Sequence, residues 1–144
     1  MSVYEGIHCR LGVEAPAAGI VVVRLTGWDV GEFGAAPMQE IDRHMQPGLQ
    51  LFIDARQVKG ATVDVSNDWA LWLRANRDRF AHISMLTGGP FVQLTAKFVR
   101  RFAGLDEVMR LYTDAAAFDA ALTAAIGAVS APAAGRPARS SDGR

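Results

Sequence analysis

Apolar and polar positions along this chain follow two rhythms that alternate from one end to the other. Ile20-Val21-Val22-Val23 with Leu25 is a β-branched run closed by Thr26-Gly27, which predicts a buried strand. Ahead of it, His8 to Glu14 alternates weakly and is bounded by Pro16, predicting a shorter and more exposed edge strand. Pro16-Ala17-Ala18-Gly19 is the turn between them. After a loop carrying Gly31, Glu32 and Gly34, Pro37 sits where a first helical turn tolerates it. Met38, Ile41 and Met45 follow at helical spacing, and Pro47-Gly48 stops that helix. Leu49 to Ile53 is a second buried strand, ending at Asp54, and polar and small residues then run from Ala55 to Asn67.

Ser66 is the expected N-cap of the next helix, whose apolar stripe is Trp69, Trp72, Leu73 and Phe80. Ile83 to Leu86 is a third short strand, ended by Thr87-Gly88-Gly89-Pro90. The helix after it is expected to turn Phe91, Leu94, Phe98, Val99 and Phe102 inward, with Gln93, Lys97, Arg100 and Arg101 outward and Gly104 at its end. Val108 to Tyr112 is a fourth inner strand, and Asp114 caps a last helix with Phe118, Leu122 and Ile126 spaced by four. Strand and helix in this order predict an α/β domain: a mixed, mainly parallel sheet of four to five strands, joined by right-handed crossovers to about four helices. The expected domain covers about residues 6–128. Residues 129–144, rich in Ala, Pro, Gly, Ser and Arg without periodicity, are expected to be a disordered tail.

Composition narrows the function classes. With 144 residues, half of them hydrophobic, the chain suits one soluble domain. Fifteen basic and fifteen acidic side chains cancel, so there is no global basic field for nucleic acid. A single cysteine, Cys9, forbids an internal disulfide and a Cys-rich zinc site. The start, with Glu5, His8 and Arg10, lacks the apolar core of a secretory signal, and no run approaches the roughly 18 apolar residues of a membrane span. A cytoplasmic protein is expected, touching membranes peripherally at most. Charge is nonetheless uneven. Between Asp68 and Arg101 stand Arg74, Arg77, Arg79, Lys97, Arg100 and Arg101 against Asp68 and Asp78, a solvated face or a docking surface for an acidic protein or anionic lipid.

Reactive groups do not assemble into a recognised pattern. His8, His44 and His82 share no helical face and have no metal-ligand spacing. Neighbours on a strand point to opposite faces, so Cys9 gains no base from His8 and is expected to be a small buried residue. Gly88-Gly89-Pro90 fits a tight turn feeding a proline-started helix, or free N–H groups for an anion without the P-loop lysine. Asp54 at a strand end either caps the following loop or joins Asp64 and Asp68 in an acidic cluster. Trp69 and Trp72 share a helix face, as core or as an aromatic platform. No catalytic residue, metal ligand or cofactor is assigned on these grounds.

Several strings carry a resemblance. Gly19-Ile20-Val21-Val22-Val23-Arg24-Leu25-Thr26-Gly27, Leu51-Phe52-Ile53-Asp54-Ala55-Arg56-Gln57-Val58, Gly89-Pro90, Arg110-Leu111-Tyr112-Thr113-Asp114 and Phe118-Asp119-Ala120-Ala121-Leu122 are similar to successive elements of the STAS domain family. That family includes bacterial anti-sigma-factor antagonists and sulfate-transporter tails. The resemblance implies a non-enzymatic regulatory module that works by protein–protein contact, with a kinase or sigma-factor regulator as partner. Its contact surface would be the Ala55–Asn67 loop and the helix behind it, with Thr62, Asp64, Ser66 and Asn67 as partner-binding residues. The family's phosphorylation motif, Asp-Ser-Ser-Gly, is missing. Depending on alignment, the acceptor position holds Val63 or Val65, so Ser66 and Thr62 are phosphoacceptor candidates by proximity alone. A second reading is a small apolar ligand or lipid carrier, needing a cavity between Trp69, Trp72, Phe98 and Phe102. A third is a small enzyme using Asp54.

Overall fold

Strand β3 (Ile20–Asp29) lies inside the sheet, with four successive residues, Ile20 to Val23, almost wholly buried. Such a run belongs to a strand covered on both faces. Its neighbours are β2 (Cys9–Ala17), antiparallel, and β4 (Leu49–Ala61), parallel. The sheet is completed by β1 (Ser2–Glu5) beyond β2, then by β5 (Phe80–Thr87) and β6 (Met109–Tyr112) beyond β4. Spatial order equals chain order across all six strands, with β1 to β3 an antiparallel meander and β3 to β6 parallel.

That order decides where the helices go. A right-handed crossover that always advances in one direction puts every crossover helix on one face of the sheet. These are α1 (Ala36–Asp42), α2 (Val63–Asn76) and α3 (Pro90–Phe102). Beneath them lie Val21, Val23, Leu49, Leu51, Ile53 and Ile83, packed against Ile41, Ala70, Leu73 and Val99. The alternate residues of the same strands, Ile20, Val22, Phe52 and Leu86, point the other way and are covered by α4 (Ala115–Ser130) through Phe118 and Leu122. Phe118 is fully buried and meets the rings of Phe52 and Tyr112 edge-on, with centroids 5.9 and 5.7 Å apart. As expected, Asp114 caps α4, its carboxylate accepting the Ala116 N–H at 3.0 Å.

This computed structural model describes residues 1–130. The tail expected over 129–144 lies outside the described residues apart from its first two positions, which end α4. Four local expectations are corrected. The sheet has six strands, because Ser2–Glu5 pairs with Arg10–Val13 as an added edge. The segment expected as loop from Ala55 continues β4 to Ala61, pairing with the far end of β3. There a Cβ on Gly60 would overlap the Trp28 ring, so glycine lets the indole lie across the strand. Phe80 is not on the helical stripe: α2 ends at Asn76, a 3₁₀ turn spans Arg77–Arg79, and Phe80 opens β5.

The fourth correction concerns α3. Val92, Ala96 and Val99 face the sheet, while Phe91, Leu94, Phe98 and Phe102 are exposed. Both sets fit a 3.6-residue period, and bulk favoured the phenylalanines. The short side chains are the ones that let this helix sit close to the strands. Replacing Phe118 with alanine should cost about 3–5 kcal/mol in urea unfolding, whereas Leu94→Ala, at a position 67% exposed, should stay within about 0.5 kcal/mol.

Candidate functional site

The four residues singled out for partner contact fall together on the first two turns of α2. β4 runs as far as Ala61, and Thr62, with φ −68° and ψ 160°, is the residue at which the chain leaves the sheet. Its backbone N–H donates to the Asp29 carbonyl at 3.0 Å, and its Oγ1 accepts the Val65 N–H at 3.2 Å. Thr62 is therefore the N-cap. This corrects the expectation for Ser66, which lies a turn further in, half-buried, donating its N–H to the Thr62 carbonyl at 3.0 Å. Asp64 is exposed in the first turn, where the helix dipole favours an acid, and Asn67 is exposed in the second. Of the two valines aligned with the missing acceptor, Val63 is 76% exposed and Val65 is buried.

A shallow groove separates this patch from α3. Val63, Ser66 and Asn67 line one side, and Phe91, Leu94 and Phe98 line the other, with Lys97 and Arg101 at its edge. Sequence reasoning assigned these phenylalanines to the core and so did not see that the polar turn of α2 adjoins an apolar helix face. The stripe of Val92, Ala96 and Val99, at i, i+4 and i+7, was the signal that could have revealed it.

The fold is shared with solved structures. An uncharacterised protein of the DUF3478 family with a SpoIIAA-like fold, from Shewanella loihica, superposes with a TM-score of 0.56 at 13% identity, over 84% of this chain and 99% of that one. The fold here is SpoIIAA-like. An anti-sigma factor antagonist from Mycobacterium paratuberculosis gives 0.52 at 23% identity, over 81% of this chain and 92% of that one. No protein-family model matches the sequence, and no curated protein does. The expected STAS-like α/β architecture is thus the observed one.

Elsewhere in this STAS-like domain the chemistry considered from sequence is bound up in structure. Asp54, 8% exposed, accepts the Arg56 N–H at 3.2 Å and its Nε–H at 3.0 Å, and lies 3.6 Å from Arg24. Arg56 reaches on to Asp119 of α4 at 2.6 Å. Hydrogen bonds to Asp119, then to Asp54, raise the guanidinium pKa above its ordinary value. This network ties β4 to β3 and α4, and the Asp54–Arg56 bond sits within β4 where the pairing with β3 shifts register. Asp64 and Asp68 stand apart on α2, and among the described residues no three His, Cys, Asp or Glu side chains gather around a common point.

Gly88 lies so close to the Arg56 carbonyl that a Cβ would overlap it, and Gly89 opens α3 without a side-chain cap, consistent with a tight turn. His8 lies just before β2, its N–H donating to the Glu32 carboxylate. His44 follows α1, and His82 is exposed on β5. Trp69 and Trp72 meet edge-to-face at 5.9 Å, pack on the core, and are fixed by the Trp72 indole N–H donating to Asp42 at 3.1 Å. Of the four aromatics expected to bound a cavity, only Trp69 lines the apolar space of about 100 Å³ that lies among Ile53, Met85, Val65, Ala96 and Val99. Phe98 and Phe102 lie outside it, on the exposed face of α3.

Cys9 is buried on β2. Burial first, then the charges of Asp29 and Glu32, pushes its thiol up to about 11 from 9.0. Three outcomes follow. Thr62→Ala should cost about 1 kcal/mol through the lost cap, and Ser66→Ala should be within about 0.5 kcal/mol of wild type in the same urea titration. For Cys9, both folded and unfolded chains hold a neutral thiol below pH 9. Between pH 9 and about 11 the unfolded chain ionises first, so stability should fall with rising pH, and more in wild type than in Cys9→Ala.

Proposed function

We propose that this STAS-like domain is a non-enzymatic regulatory module of the bacterial cytoplasm that acts by binding another protein through the start of α2. The observation that carries the reading is the fold held in common, over most of both chains, with an anti-sigma factor antagonist. On that reading the partner is a kinase or a sigma-factor regulator. Thr62, Asp64, Ser66 and Asn67 form its contact patch, with the exposed acid Asp64 setting partner choice more than raw affinity.

If the patch is phosphorylated, Thr62 suits the modification better than Ser66. Its side chain is exposed at a helix N-terminus, where added negative charge is tolerated, and the phosphate oxygens could still accept the Val65 N–H. Ser66 is half-buried against the groove, so a phosphate there would displace packed neighbours. The test is affinity capture from the native host with the full chain as bait, read by mass spectrometry. Asp64→Ala/Ser66→Ala should lose a partner recovered by wild type, with at least a tenfold drop in its yield (~1.4 kcal/mol). Capture of no partner, or the same partner at the same yield by both proteins, counts against the reading.

One observation favours a second reading as an apolar-ligand binder: the apolar cavity beside Trp69, of about 100 Å³. Engineered cavities of about 150 Å³ stay dry and take benzene or xenon, so a ligand here would be small. Native mass spectrometry showing only bare polypeptide would argue against it.

A further inference from the structure

The outer side of α3 is a row of large apolar side chains that none of the described residues covers. Phe91, Leu94 and Phe98 are 60%, 67% and 57% exposed, and Phe102, at the end of the helix, is 42% exposed. Separated by three or four residues, they form one continuous stripe about 16 Å long. Val63, 76% exposed across the groove, widens it. Single exposed apolar residues are ordinary, but a contiguous patch of this kind marks a contact surface.

The charges beside the stripe are mainly positive, Asp106 being the acid among the groove's lining residues. α3 contains Lys97, Arg100 and Arg101 and no acid. Arg100 faces Asp106 at 3.6 Å, whereas Lys97 and Arg101 have no ion-pair partner among the described residues. The Arg74 guanidinium of α2 lies over the Phe102 ring, 5.7 Å from its centroid, and adds a cation at the stripe's far end. Of the acids of α2, Asp68 faces α1 instead of the groove, and Asp64 is exposed in the first turn beside Val63. The Thr95 hydroxyl is already used, donating to the Phe91 carbonyl at 3.2 Å. The α3 side of the face therefore offers apolar bulk and positive charge but few directional polar groups with which to fix the register of a folded partner; those of the groove, Ser66 and Asn67, stand on α2.

We propose that α3 seats this domain flat on a membrane surface rich in anionic lipid, with Phe91, Leu94 and Phe98 entering the headgroup layer and Lys97 and Arg101 meeting lipid phosphates. A helix with aromatic and leucine side chains beside lysine and arginine, lying in the interface plane, needs no specific register from its partner. Anionic lipid supplies the complementary charge. Docking through a second copy of the chain would bring the α3 cations of both copies together. The proposal rests on α3 and does not require partner binding at the start of α2, whose Ser66 and Asn67 border the same groove.

Co-sedimentation of the full chain with lipid vesicles tests it. At low salt, wild type should pellet with phosphatidylcholine vesicles containing phosphatidylglycerol, much less with pure phosphatidylcholine, and progressively less as salt is raised. Phe91→Ser/Phe98→Ser should abolish pelleting. Lys97→Gln/Arg101→Gln should weaken it by about fivefold for each cation removed. All four positions are on the surface, so circular dichroism and melting curves should match wild type. Wild type left in the supernatant with anionic vesicles overturns the proposal, and so does pelleting that both double variants retain. Binding of a synthetic acidic amphipathic peptide, or a dimer that Phe91→Ser/Phe98→Ser dissolves, without vesicle binding, gives the face to a protein partner or a second copy instead.

Discussion

The parallel pairing of β3 with β4, buried on both faces, is the constraint from which the rest of the molecule follows. Val21 and Val23 on one strand, and Leu51 and Ile53 on the other, fill one side of the sheet, while Val22 and Phe52 fill the opposite side. Two covered faces require two layers of helix. Strands that advance in one direction by right-handed crossovers send α1, α2 and α3 to the same layer. The opposite layer is left for α4, the element that follows the last strand. The Arg24–Asp54–Arg56–Asp119 network joins β3, β4 and α4 at the edge of this arrangement, where a buried carboxylate needs compensating charge.

That layering leaves the start of α2 and the outer side of α3 exposed. The start of α2 emerges at the carboxyl end of β4, and its exposed turn carries Thr62, Asp64 and Asn67 on a scaffold fixed by the Thr62 cap and by the Asp29 carbonyl. α3 is the crossover before the edge strand β6, and its outer side looks to solvent. Polar patch and apolar stripe are thus neighbours because consecutive crossovers are neighbours, although nearly thirty residues of chain separate Val63 from Phe91.

Cys9 and the histidines show how burial and spacing remove chemistry that composition alone would leave open. The thiol is held neutral by burial beside two acids, and the imidazoles of His8, His44 and His82 lie on three separate parts of the surface. Asp54, the acid best placed by topology for a reaction, spends its oxygens on Arg56 and Arg24.

The sequence by itself determined the alternation of strands and helices, the parallel valine-rich centre, the start of α3 at Pro90 and the cap at Asp114, because periodicity, β-branching and helix-end chemistry act over a few residues. Tertiary structure alone decided the rest: that Ser2–Glu5 becomes a strand, since an edge needs a partner to pair with, and that β4 runs on to Ala61, since Gly60 must accommodate Trp28 from the neighbouring strand. It also decided which of two apolar stripes on α3 turns inward. Val92, Ala96 and Val99 won that place over three phenylalanines because the distance between helix and sheet, not hydrophobicity, limits what fits between them.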